Sequence, residues 1–76
     1  MTARAYIETT DIPRPLLDTA ARRVDGSQQL VAFIGCPITG VEADGEVGFP
    51  FPRTPEIRES LVNWFCHWGL SFRVEM

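Results

Sequence analysis

The sequence predicts an α+β domain, a two-layer sandwich in which a four-stranded, mainly antiparallel sheet carries two helices on one face. Three observations predict it. Alternation with a period of two marks Arg4 to Thr10 and Phe72 to Met76 as half-buried strands. An apolar stripe behind capping residues marks a long helix after Thr54. The order βαββαβ then fits the 76 residues as a single domain, 1–76.

In the first strand Ala5, Ile7 and Thr9 oppose Tyr6, Glu8 and Thr10. Thr10 or Asp11 can cap a first helix, and Pro13 and Pro15 suit only its opening turn. Leu16, Leu17, Ala20 and Val24 recur on one side, so this helix is expected to reach Val24 and to close at Gly26. Leu30 to Ile34 is apolar on both faces and reads as the central strand. Gly40 to Gly45 reads as a turn. Val47, Phe49 and Phe51 alternate with Gly48, Pro50 and Pro52, and because proline cannot donate to a ladder this strand is assigned to an edge.

The second helix is the best defined element. Thr54 is its cap, Pro55 its first residue, and Glu56 an acid in the positive first turn. Ile57, Leu61, Trp64, Phe65 and Trp68 form one stripe, and Gly69 is the stop. These elements lead to a ferredoxin-like arrangement. That topology places the third strand centrally, whereas the prolines place it at an edge, so a variant strand order stands as the alternative.

A chain of this length buries only roughly 60–65% of the surface it exposes when unfolded, which leaves a narrow stability margin. Ten acids against seven arginines, with no lysine, give a net charge of -3, so no overall positive field favours direct nucleic-acid contact. The longest nearly apolar run, Leu30 to Ile38, is too short to cross a bilayer, and no apolar signal core opens the chain. A cytoplasmic protein is expected, with Cys36 and Cys66 as free, mostly buried thiols.

Chemical motifs are sparse. Cys36, Cys66 and His67 are the only soft metal ligands, too few for a closed zinc site. A nucleophilic cysteine would need a neighbouring base, and Cys66 lies at the wrong end of its helix. Glu42, Asp44 and Glu46 lack the ligand count of a calcium loop and read as a solvated hairpin turn. No cofactor and no enzymatic activity are implied.

Ala5-Tyr6-Ile7 and Gly48-Phe49-Pro50-Phe51 resemble the two short motifs of the RNA-recognition-motif family, with departures at Val47 and Pro50. The resemblance implies single-stranded RNA binding, with Tyr6, Phe49 and Phe51 stacking on bases. It is the alternative function.

The leading expectation is a protein-binding module, a small intracellular inhibitor or adaptor docking on a larger complex. Phage-encoded anti-CRISPR inhibitors are proteins of that kind. Asp44, Glu46, Glu56 and Glu59 are the expected acidic contacts for a partner that itself binds nucleic acid. Phe49, Phe51 and Arg53, in a rigid apolar edge segment, and Trp68 at the helix end are the other expected contacts. A free sheet edge also favours a homodimer, although Pro50 and Pro52 would blunt it.

Overall fold

A computed structural model describes residues 3–76 and shows a six-stranded, all-antiparallel open sheet with one long helix. The strands are β1 (Arg4–Glu8), β2 (Ala21–Asp25), β3 (Gln28–Ala32), β4 (Gly40–Ala43), β5 (Glu46–Pro50) and β6 (Arg73–Glu75). The helices are α1 (Arg14–Asp18), a single short turn and a half, and α2 (Pro55–His67). In space the strands run β2-β3-β4-β5-β1-β6. The four-stranded, two-helix sandwich and its ferredoxin-like form are therefore not what the chain builds.

Two hairpins account for the difference. The expected first helix stops at Asp18, where Thr19 Oγ1 donates to the Pro15 carbonyl at 2.8 Å. Ala21 to Asp25 then pair residue for residue with Ala32 to Gln28. Gly26, with φ of 63°, provides the first corner of a two-residue turn. Val24 thus belongs to no helical stripe; it is 74% exposed on β2.

The second hairpin replaces the expected Gly40–Gly45 turn. Only Asp44 and Gly45 turn, with φ of 54° and 77°, the paired positive values of a type I′ corner. Gly40–Ala43 becomes β4. With β4 on one side and β1 on the other, β5 is central rather than an edge strand. Its proline does no harm there. Phe51 N donates to Ala3 O, so the nitrogen of Pro50 faces the opposite side, beyond the last β4 pair at Val41 and Gly48. The apolar β3, expected as the spine, lies second from the edge.

The core fills one face of the sheet. Ala5, Ile7, Val31, Val47 and Phe49 turn towards Leu61, Trp64 and Phe65 of α2, with Leu16 of α1 and Leu70 closing the ends. Phe49 meets Phe65 edge-on at 5.7 Å between ring centres, and Phe65 lies against Phe72 at 4.6 Å. Trp64 Nε1 donates to the Ile34 carbonyl at 3.1 Å, so its polar atom is satisfied within the core. The helix stripe is as expected at Leu61, Trp64 and Phe65, whereas Ile57 at its first turn is exposed. Thr54 occupies the cap position with no side-chain hydrogen bond.

Candidate functional site

Directly opposed residues of an antiparallel sheet share a face. Arg23 opposes Leu30, Leu30 opposes Val41, Val41 opposes Gly48, Gly48 opposes Tyr6, and Tyr6 opposes Arg73. This row crosses all six strands. It has the opposite parity to Ala5 and Phe49, which point into the core, so it lies on the face α2 does not cover.

The centre of the row is apolar and an arginine stands at each end. Leu30, Val41 and Tyr6 are half-buried, with shallow hollows between Tyr6, Val41 and Glu46 and between Arg23, Leu30 and Ala32. Gly48 is buried because the Tyr6 ring lies over it: a Cβ there would stand 2.9 Å from Tyr6 Cε1. The Arg73 guanidinium in turn lies over that ring, 4.7 Å from its centre.

Arg73 also organises the charge. It grips Glu46 with both terminal nitrogens, Nη2 to Oε1 at 3.1 Å and Nη1 to Oε2, while its Nε donates to Glu75 at 2.6 Å. Glu46 stands opposite Glu8, a like-charge pair that the reach of Arg73 from β6 across β1 relieves. The hydrogen bonds from Arg73 hold the Glu46 carboxyl below its ordinary range, and those to Glu46 and Glu75 hold Arg73 above its own.

The expected contact residues do not converge. Glu46 is on the uncovered face and Asp44 at the hairpin tip, whereas Glu56 and Glu59 are exposed on α2, across the sheet. Phe49 is fully buried, a core residue with no surface to offer a partner. Phe51 is half-buried with the Arg58 guanidinium 5.9 Å from its ring centre, and Arg53 is exposed. Trp68, at the helix end, packs partly on the core with its ring edge-on to His67 at 5.5 Å. Tyr6 and Phe49, paired as stacking residues by the RNA-recognition-motif resemblance, sit on opposite faces.

The thiols also separate. Cys36 is half-buried, its Sγ donating to the Ile38 carbonyl at 3.2 Å, and burial pushes it up from the ordinary thiol range. Cys66 is exposed, contrary to the expected burial, because it falls on the solvent side of α2. Among the described residues no three of His, Cys, Asp and Glu stand close enough to hold a metal ion. Among them, too, no helix is long and apolar enough to cross a membrane.

Leu30, Val41, Arg23 and Arg73 were missed as surface residues. For Val41 the available signal is Asp44-Gly45, a strong two-residue hairpin motif whose flanks Val41-Glu42-Ala43 and Glu46-Val47-Gly48 alternate. Fold and site together define a small antiparallel-sheet protein with one helix-covered layer and one bare face. No family model, curated protein or solved structure matches the chain.

Proposed function

We propose that the chain is a non-catalytic protein-binding module, a small intracellular inhibitor or adaptor that lays its bare sheet face on a protein partner. The row from Arg23 through Leu30, Val41 and Tyr6 to Arg73 carries this reading. An apolar centre with an aromatic ring, bounded by arginines, has the composition favoured where proteins dock. The helix layer lies on the other side, so the described residues leave this face uncovered. Free cysteines accord with a reducing, cytoplasmic compartment. Contact runs through the sheet and not through a united acidic surface, since Glu46 and Glu59 lie on opposite sides.

Affinity capture with paired variants tests it. Leu30→Glu and Tyr6→Ala should each lose a partner that the unchanged chain and Glu59→Gln retain, with circular dichroism showing that all four are folded. A partner that survives both changes on the bare face rejects the reading. Capture of single-stranded RNA that Tyr6→Ala abolishes would transfer the function to RNA, with Tyr6 as the available ring beside Arg4 and Arg73.

A further inference from the structure

The sheet has two free edges, and they differ. On β6 only three residues pair, and both Arg73 and Glu75 are tied into the cluster around Glu46. On β2 five residues pair without a break on one side only, all five exposed, with no proline and no bulge to obstruct a further strand. Arg22 is engaged by Glu42 at 3.2 Å, whereas Arg23 and Asp25 have no ion-pair partner among the described residues. Val24 between them is one of the most exposed apolar side chains of the molecule.

We propose that β2 pairs with the β2 strand of a second copy of this chain, antiparallel about a two-fold axis at Val24, joining two six-stranded sheets into one. The hairpin geometry selects this edge. In a two-residue turn at Gly26-Ser27 the flanking residues Asp25 and Gln28 form the hydrogen-bonded pair. Successive backbone groups alternate in direction, so the N–H and C=O of Arg22 and Val24 point away from β3 to the free edge.

A two-fold axis allows few registers, and charge decides among them. Centring on Arg23 sets two guanidiniums face to face. Centring on Arg22 places Arg23 opposite Ala21 of the second copy and leaves Asp25 without a cation. Centring on Val24 lets the two valines exchange both backbone hydrogen bonds and meet side by side. Arg23 of each copy then stands opposite Asp25 of the other in a non-hydrogen-bonded pair, where Cα atoms approach to about 4.5 Å. Each unpartnered charge gains one opposite partner, the two-fold axis makes the pair twice, and the bare sheet face stays open for another protein.

Sedimentation equilibrium from micromolar to millimolar concentration tests this. The unchanged chain should approach twice its 8.5 kDa mass as concentration rises. Arg23→Asp and Asp25→Arg should each weaken self-association about tenfold or more by setting like charges opposite each other. Mixing the two variants, or combining them in one chain, should restore it. Val24→Pro removes an outward N–H without touching the β3 ladder and should give a folded monomer. A chain that stays monomeric throughout overturns the proposal. So does a dimer that tolerates Arg23→Asp and Val24→Pro, which would use another surface.

Discussion

The Tyr6 ring lies across the backbone of Gly48, its directly opposed neighbour on β5, and fills the space a side chain would take. A glycine in a central strand weakens it through lost packing, and an aromatic partner folded over the gap restores the contact. That arrangement gives the row on the bare face its aromatic ring and holds it against Arg73.

Replacing Gly48 with alanine should push the ring out. The nearest atom, Tyr6 Cε1 at 2.9 Å, belongs to a side chain that can swing into solvent, so the loss should be about 1 kcal/mol. Denaturant unfolding reads the loss. Tyr6 ring shifts in the NMR spectrum should show release from Arg73, and an unmoved ring would refute the contact.

Gly40→Ala should be costlier. Its Cβ would meet Val47 Cγ1 at 2.6 Å and Phe49 Cε1 at 2.9 Å, and both side chains are buried with nowhere to retreat. A loss at the upper end of the roughly 1–3 kcal/mol of overpacked cores is expected, larger than for Gly48→Ala in the same assay.

Phe65 sits at 0% exposure between Phe49, Trp64 and Phe72, so Phe65→Ala should remove roughly 3–5 kcal/mol, enough to unfold much of so small a domain. Phe65→Leu, which keeps most of the volume, should remain folded. Thermal melts of the two variants separate the cases.

The Glu46–Arg73 pair makes a pH-dependent contribution. Its carboxyl titrates below the ordinary 4.5 in the folded chain. The stabilisation is therefore full above that value and disappears as pH falls through the lower folded one. Arg73→Gln should return the Glu46 midpoint towards 4.5 in an NMR titration. The stability gap between the two chains should narrow on acidification, leaving the pH-independent loss of the contact with Tyr6.

The helix α2 was legible in the sequence because its signals are local. Pro55 at the start, Gly69 at the end and the Leu61-Trp64-Phe65 stripe all act within one element, and the structure retains each of them. The first and last strands of the chain, β1 and β6, were legible for the same reason, to within two residues at their ends. In the candidate site Glu46 and Tyr6 were singled out, but the face they share with Leu30 and Val41 was not, since that grouping depends on cross-strand register.

Local chemistry alone thus determined where α2 starts and stops and which of its side chains face the core. Tertiary structure decided the rest. Arg22, Arg23 and Val24 are tolerable in a helix, and they became a strand because the Gly26 corner brings them onto β3, where five paired residues outweigh a weak helical preference. Phe49 and Phe51 beside prolines looked like an exposed edge. Phe49 became part of a central strand because β4 and β1 flank β5, whereas Phe51 lies just past the strand end; burial against α2 is a property of neighbours that no single segment carries.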